Sequence, residues 1–331
     1  MKIECRAPLR IDLAGGWSDI PPFAAREGGA VLNVAIAQYV TGDIRSTRAP
    51  DRDRGSDADK DRDRGSDADK DRSRGSDGDN GDKDRDQSLR VSYGLDLPAG
   101  AGLGSSASLS VAWLALIHAN MGATLDQKTL AREACDLAAL LGLRGGKQDE
   151  YAAALGGVNL MIFRQDHDID VRPLELSASR RAELEERLVL CYSGSARLSG
   201  DIHERVWGAY ERGDAAVGRT LGLIRDMALE MSEALAAGNM AAVAACMRRN
   251  WEAQKRLHPS ITNARVDALF DAADAAGVLA GKACGAGGGG CLVFLAEPAR
   301  APAVRAALAA AGARLIDARI DWDGVMIQSS L

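Results

Sequence analysis

The sequence contains little of what builds most metal centres and nucleic-acid interfaces. Its 331 residues include four histidines and six cysteines, and the cysteines do not stand at the spacings of zinc ligands. Lysine and arginine total 41 against 47 aspartates and glutamates, a net charge of −6, so no basic surface for nucleic acid is expected. We interpret the cysteines as reduced, mostly buried thiols.

Long apolar runs are also missing. No stretch approaches the ~20 consecutive apolar residues that a membrane-spanning helix requires. Charges at Lys2, Glu4 and Arg6 are not typical of a signal peptide. These patterns predict a cytoplasmic protein with neither a membrane nor a nucleic acid as partner, and they carry no prediction of its oligomeric state.

A charged repeat without apolar content interrupts the chain. Residues 51–60 recur identically at 61–70 and imperfectly at 71–80. The repeat contains no aromatic residue and no aliphatic residue larger than alanine, so it cannot offset the entropy lost on ordering. Aspartate-rich repeats can bind calcium, but the interleaved lysines and arginines oppose a cation. We predict a disordered surface loop over residues 48–88.

Glycine, in contrast, is abundant, and the most informative glycine-rich segment is 98–108. It lies between a predicted strand at 89–97 and a predicted helix at 106–121. Such a turn can direct several backbone N–H groups at an anion, and the helix dipole adds positive potential there. No lysine follows the glycines, so this is not a Walker loop. The candidate phosphate-binding residues are Gly100, Gly102, Leu103, Gly104, Ser105 and Ser106.

A simpler interpretation of the same segment is a tight turn, with glycine chosen for geometry and serine for capping the helix. Elsewhere the periodicity is mixed and predicts an α+β fold in layers. The other predicted strands are 31–44, 158–163 and 188–192, with a late sheet at 283–296, 313–321 and 324–328. The other predicted helices are 125–141, 199–212, 214–237, 239–257, 263–276 and 299–311.

Three glycine-rich segments occur in the order 7–19, 98–108 and 281–291. They resemble the three signature motifs of the galactokinase, homoserine kinase, mevalonate kinase and phosphomevalonate kinase (GHMP) superfamily. The resemblance covers residues 1–47 and 88–331. It implies a phosphotransferase that uses ATP and Mg²⁺ and has an alcohol group as acceptor.

The same resemblance implies a two-lobed α+β fold with the active site between the lobes. Residues 1–175 would form an N-terminal half like domain 2 of ribosomal protein S5, with the charged loop inside it. Residues 176–331 would form a ferredoxin-like C-terminal half. A nucleotide-binding regulatory protein that has lost turnover is the alternative of another class.

Two branches of sugar kinases that act on the anomeric C1 hydroxyl compete for the closer resemblance. Residues 145–157, which include Lys-Gln-Asp-Glu-Tyr-Ala-Ala-Ala, look like the catalytic-aspartate segment of D-glycero-D-manno-heptose 7-phosphate kinases. Residues 16–22 and 31–33 look more like the kinase part of L-fucokinases. We favour the heptose 7-phosphate because of the segment from Lys147 to Gly157.

The resemblance also implies roles for single residues. Asp149 would be the catalytic carboxylate, Arg10 would stabilise charge at the transferred phosphate, and Ser106 would ligate Mg²⁺. Asp19 would accept hydrogen bonds from sugar hydroxyls. The simpler alternatives are that Asp149 caps a helix and that Arg10 and Asp19 form an ordinary salt bridge.

Further candidates line up around these residues. Gly287 and Gly288 would close the nucleotide site, and Lys147 would contact the substrate. Trp17 would stack on the sugar or serve as a core residue, and Arg197 would grip a distal phosphate of the acceptor or remain solvated. Superfamily members commonly carry a second Mg²⁺ ligand, a glutamate, where this chain has Leu137 and Ala138. Asp136 would be its substitute.

Overall fold

The structure is a computed structural model that describes residues 2–48, 87–95, 97, 100–143, 145–166, 168–195 and 200–330. Residues 49–86 of the predicted loop therefore lie outside the described residues. The ends of that prediction are wrong, because Arg48 pairs with Gln87 and Thr47 with Ser88 in neighbouring strands.

The described residues form two sheets and the helices around them. The strands are β1 Lys2–Ala14, β2 Gly29–Arg48, β3 Gln87–Leu95, β4 Val158–Phe163, β5 Ile169–Pro173, β6 Leu188–Tyr192, β7 Ala280–Ala283, β8 Cys291–Leu295, β9 Arg314–Ile316 and β10 Met326–Ser330. The helices are α1 Pro21–Glu27, α2 Ser105–Asn120, α3 Gln127–Leu140, α4 Gln148–Leu155, α5 Ala178–Arg187, α6 Gly200–Glu211, α7 Ala215–Ala237, α8 Met240–Leu257, α9 Ala264–Ala275 and α10 Ala301–Ala310. The predicted α+β class is confirmed.

The first sheet has the order β10-β1-β2-β4-β5, and β3 also pairs with β2. Strand β2 is long enough to pair with β4 along residues 29–34 and with β3 along residues 40–48. The second sheet has the order β7-β8-β6-β9. One buried core lies mainly against the first sheet, and a second core packs α6, α9 and α10 against the second sheet.

The predicted helices and most predicted strands are present with small shifts of their ends. The last strand is a correction, because β10 was expected in the late sheet and pairs instead with β1, Lys2 opposite Ser330 and Arg6 opposite Met326. The edge of β1 opposite β2 needs a hydrogen-bonding partner, and the end of the chain supplies it. The domain boundary expected at residues 175/176 falls between β5 and α5. Strand β10 follows this boundary in the chain but pairs with β1, which precedes it. None of the described helices is long and apolar enough to cross a membrane.

Strand β1 shows how the core reaches the charged residues of the first motif. Ile3 and Cys5 are buried and Glu4 is exposed, so the first half of the strand has one covered face. From Ala7 onward every residue is buried, because both faces are covered. Arg10 and Asp12 lie in this second half and must be paired to be tolerated there.

The partner of Asp12 is Lys282 on the second sheet. The Lys282 Nζ atom donates to the Asp12 carboxylate at 2.7 Å and to the Asp12 carbonyl oxygen at 2.8 Å. Both side chains are almost completely buried, with 0% and 1% of their surface exposed. This ion pair therefore joins β1 of the first sheet to β7 of the second inside the protein.

Removing only the cation of this pair should be strongly destabilising. Lys282→Met leaves the Asp12 carboxylate buried without a counter-charge, and we expect a loss of about 3–5 kcal/mol in the free energy of unfolding. The measurement is urea denaturation followed by circular dichroism. The double variant D12N/K282M, which buries no net charge, should lose less than K282M alone, and a larger loss would contradict the assignment.

Candidate active site

The glycine-rich loop before α2 has the geometry of an anion-binding turn. Gly100, Gly102 and Gly104 have φ angles of 77°, 80° and 75°, a region that residues with a Cβ adopt at a cost. Gly104 is the N-cap of α2, and no side chain caps the helix there. The glycine conformations expected for a tight turn are therefore present, but the expected capping of the helix by a serine side chain is not. The first N–H groups of α2 remain available to an anion.

The third glycine-rich segment packs directly against this loop. The Cys291 N–H donates to the Ala101 carbonyl oxygen at 2.8 Å. A Cβ on Gly102 would lie 2.7 Å from the Cys284 carbonyl oxygen, and one on Gly290 would lie 2.7 Å from that of Ala101. Only glycine permits so close an approach of the two backbones.

Gly287 and Gly288, however, face another part of the chain. The Gly288 N–H donates to the Ile261 carbonyl oxygen at 2.7 Å, and the Gly288 carbonyl oxygen accepts from Asn263 at 2.9 Å. A Cβ on Gly287 would meet Ile261 as well. The residue of this segment that lines the cavity beside the loop is Gly285.

Arg10 connects the loop to the candidate catalytic residue. Its Nε donates to the Asp149 Oδ1 atom at 2.7 Å, and a terminal nitrogen donates to the Gly102 carbonyl oxygen at 2.6 Å. Its backbone N–H donates to the carbonyl oxygen of Leu103. The Leu103 side chain is buried in the core. Arg10 pairs with Asp149 and not with Asp19, so the alternative of an Arg10–Asp19 salt bridge is wrong.

Asp149 stands in the first turn of α4, close to the start of α2. The N-cap of α4 is Lys147 and no side chain caps that helix, so the alternative of Asp149 as a helix cap is wrong. A Cβ on Gly104 would lie 3.2 Å from the Asp149 carboxyl carbon, which shows how closely the carboxylate covers the loop. About a quarter of the Asp149 side chain, 24%, is exposed.

A cavity of about 630 Å³ opens beside this constellation. Its polar and charged lining side chains are Arg10, Asp12, Asp19, Ser106, Ser110, Lys147, Gln148, Asp149, Glu150 and His203. Several buried polar atoms around it have no hydrogen-bond partner among the described residues: Trp17 Nε1, Asp19 Oδ2, Gln148 Oε1 and Glu150 Oε2. Unpaired buried polar groups are costly, so their concentration here indicates a site completed by a bound molecule.

Asp19 is the most enclosed of the predicted substrate residues. Burial, with the charges of Asp149 and Asp12, raises its pKa to about 7. A Cβ on Gly146 would overlap the Asp19 carboxylate, so this residue can approach Asp19 so closely only because it is a glycine. Lys147, next along the chain, lines the same cavity and forms no ion pair within the described part of the chain.

The cavity lining includes polar side chains that the sequence analysis did not assign, Glu150 and His203 among them. Glu150 is 7% exposed, and burial together with Asp149 and Asp19 raises its pKa to about 8. His203 on α6 also lines the cavity, and burial and Arg10 lower its pKa to about 4. The signal for Glu150 was its place beside Asp149 in a helix, whereas His203 had no partner pattern in the sequence.

The remaining predicted residues have mixed outcomes. Ser106 lines the cavity, and so does Trp17, which is also a core residue packed on His203. Asp136 lies on the exposed side of α3, whereas Cys135, Ala138 and Ala139 face the cavity, so a metal ligand at Asp136 is not supported. Arg197 lies outside the described residues.

Comparison with known proteins identifies the class of the fold and then the family. The model of the GHMP kinases N-terminal domain matches residues 79–157, and that of the GHMP kinases C-terminal domain matches residues 231–314. The chain belongs to the GHMP kinases and is a phosphotransferase. A D-glycero-α-D-manno-heptose 7-phosphate kinase of Campylobacter jejuni is 28% identical over 90% of both chains.

Two further similarities bear on the acceptor. An L-fucokinase/L-fucose-1-P guanylyltransferase of Bacteroides fragilis is 26% identical, but this chain spans only 35% of its length. The crystal structure of a D-glycero-D-manno-heptose 1-phosphate kinase from Bacteroides thetaiotaomicron superposes with a TM-score of 0.73 at 26% identity over 99% of both chains. Lactococcus lactis galactokinase, at 17% identity and a TM-score of 0.71, shares the fold.

The raised pKa of Asp19 predicts a pH-dependent effect of Asp19→Asn on stability. The folded protein holds the Asp19 proton up to a pH of about 7, whereas the unfolded chain releases it near 4, so the stability that the proton confers is lost as the pH rises between these values. We expect the stability of D19N relative to the wild type to increase by about 2–3 kcal/mol between pH 5 and pH 8.5. Urea unfolding at both pH values measures this, and a difference that does not change with pH would contradict it.

Proposed function

We propose that this kinase transfers the γ-phosphoryl group of ATP to the C1 hydroxyl of D-glycero-D-manno-heptose 7-phosphate. One observation supports this reaction type: Asp149 lies over the uncapped start of α2, and Arg10 holds the Asp149 carboxylate in that position. The choice of sugar is supported by the 28% identity with the Campylobacter jejuni heptose 7-phosphate kinase along 90% of both chains.

The nucleotide end of the site would be the loop from Gly102 to Ser106. Its backbone N–H groups and the N-terminus of α2 suit the ATP phosphates. Mg²⁺ binds one or two protein oxygens and otherwise phosphate oxygens and waters, so the Ser106 hydroxyl on the cavity wall suits it without an acidic cluster. Within the described part of the chain no group of three metal-ligating side chains is present. When bound, the ion would neutralise phosphate charge.

Asp149 and Arg10 divide the chemical work at the acceptor. The C1 oxygen forms a bond to the γ-phosphorus while the bond from that phosphorus to the bridging oxygen of ADP breaks. Asp149 accepts the proton of the C1 hydroxyl, and its exposed edge is open to the cavity. The Arg10 guanidinium orients this carboxylate through the 2.7 Å hydrogen bond and offsets negative charge at the transferred group.

The acceptor would occupy the part of the cavity bounded by α1, α4 and α6. Asp19 has an unpaired buried oxygen that can accept a hydrogen bond from a sugar hydroxyl. Lys147 is the cavity cation that no described acidic side chain neutralises, and it can meet the 7-phosphate of the heptose. We propose the cytoplasm as the place of action, where ATP is available and the buried free cysteines stay reduced.

L-Fucose is a second candidate acceptor. The cavity lining includes four carboxyl groups, on Asp12, Asp19, Asp149 and Glu150. Asp19 and Glu150, which have unpaired buried oxygens among the described residues, can form hydrogen bonds with the hydroxyls of a neutral polyol. The similarity to the Bacteroides fragilis fucokinase supports the same candidate.

The test is release of ADP from Mg²⁺-ATP with a panel of acceptors. The panel contains D-glycero-D-manno-heptose 7-phosphate, L-fucose, galactose, mannose and mevalonate. Turnover with the heptose 7-phosphate and a product phosphorylated at C1, identified by ³¹P NMR, is the expected result. Preferred turnover of L-fucose would replace the first candidate by the second, and turnover of mevalonate alone would overturn the assignment to sugars.

Lys147→Ala should separate the two candidates within one protein. If Lys147 binds the 7-phosphate, the variant should raise the KM for the heptose 7-phosphate about tenfold or more and leave the KM for the unphosphorylated heptose nearly unchanged. Steady-state kinetics with both sugars measures this. Lys128→Ala, an exposed lysine of α3 away from the cavity, is the matched control. An equal change for both sugars would contradict a phosphate contact.

A further inference from the structure

His203 occupies an unusual position for a residue with no assigned role. It lies at the end of the first turn of α6, is half-buried, and lines the cavity together with Arg10, Asp19 and Asp149. The imidazole makes no hydrogen bond to the described residues. The nitrogens of this imidazole are therefore available for hydrogen bonds to a molecule bound in the cavity.

Two tryptophans fix the plane of this imidazole. The Trp207 ring stacks on it with an interplanar angle of 1° and a centroid distance of 5.1 Å. The Trp17 ring meets it edge-on at 4.7 Å and 74°. Aromatic contacts of this kind restrict a side chain to one orientation without using its polar atoms.

The backbone at Trp17 is strained to reach this arrangement. Its φ angle is 85°, and within the described part of the chain it is the one residue other than glycine with a positive φ. A bulky residue in this region carries a cost of order 1–3 kcal/mol and persists when its surroundings determine it. Such strain clusters at ligand-binding sites, which suggests that the position of the Trp17 ring against His203 serves a bound molecule.

The protonation state of His203 limits what it can recognise. Burial and the neighbouring Arg10 guanidinium lower its pKa to about 4, so it is neutral near pH 7. A neutral imidazole has one donor and one acceptor nitrogen. That pair matches a hydroxyl group, which both donates and accepts, better than it matches a phosphate, which at this pH mainly accepts.

We propose that His203 is a specificity-determining residue that forms a hydrogen bond with a hydroxyl group of the sugar acceptor. This inference rests on the proposed function, since it requires a polyol in the cavity. Asp19, just before α1, provides a hydrogen-bond acceptor. His203 on α6 provides one hydrogen-bond donor and one acceptor. Together they would fix the orientation of the sugar whose C1 hydroxyl meets Asp149.

The test compares variants that keep the ring with variants that keep the hydrogen bond. His203→Phe retains the aromatic packing and removes both nitrogens, and we expect it to raise the KM for the sugar about tenfold with the KM for ATP unchanged. One of His203→Asn and His203→Gln, which place an amide near one ring nitrogen or the other, should restore part of the loss. His118→Phe is the matched control, because His118 pairs with Glu133 outside the cavity.

Mono-deoxy analogues of the acceptor give the decisive readout. The wild type should discriminate against one analogue at least tenfold, and H203F should lose that discrimination while keeping any others. An unchanged KM for the sugar, or unchanged discrimination in H203F with a wild-type melting curve, would overturn the proposal.

Failure of the proposed function can be recognised separately. If the wild type phosphorylates no sugar of the panel, binding of the same sugars is measured by calorimetry with a non-hydrolysable ATP analogue present. Weaker sugar binding by H203F than by wild type and H118F would still support the inference. Equal binding by wild type and H203F, or no sugar binding at all, would overturn it.

Discussion

Arg10 joins three segments of the chain that are far apart in sequence. From β1 it reaches the glycine-rich loop before α2 through Gly102 and Leu103, and α4 through Asp149. A guanidinium that is only 5% exposed is expensive to bury, and the carboxylate and carbonyl oxygens around it make that position tolerable. The buried Arg10 guanidinium therefore requires the Asp149 carboxylate and the loop carbonyl oxygens to lie close to it, and this requirement constrains the shape of the cleft. The same requirement places a carboxylate beside the start of α2.

The charges around this contact are arranged so that some are neutralised and others are not. Asp12 is matched by Lys282 from the second sheet, and Asp149 is matched by Arg10. Asp19 and Glu150 are buried without such partners among the residues that the structure describes, and burial raises the pKa of each carboxyl. The matched pairs hold the two sheets and the loop together. The unmatched groups keep unused hydrogen-bonding capacity for a ligand, which is typical of a functional site.

The local geometry of the glycine-rich loop before α2 and of the segment around Asp149 could be inferred from the sequence, because each of these segments is contiguous in the chain. Pairings between distant segments could not. Asp12 and Lys282 are separated by 270 positions, and nothing in the short apolar pattern of β10 indicated β1 as its partner. The expectation of a metal ligand at Asp136 is not supported, because α3 turns Cys135 and Ala138 to the cavity. The rotation of a helix about its axis depends on packing with distant segments.

We propose that Asp149, held by Arg10 at the glycine-rich loop before α2, is the residue that accepts the proton of the acceptor hydroxyl. The most direct measurement is ADP release by Asp149→Asn, together with its affinity for ATP, against Asp136→Asn as an exposed control. We expect turnover to fall by at least ~100-fold in D149N, with an ATP affinity within a few-fold of wild type, and to be unaffected in D136N. Turnover close to wild type in D149N would contradict it.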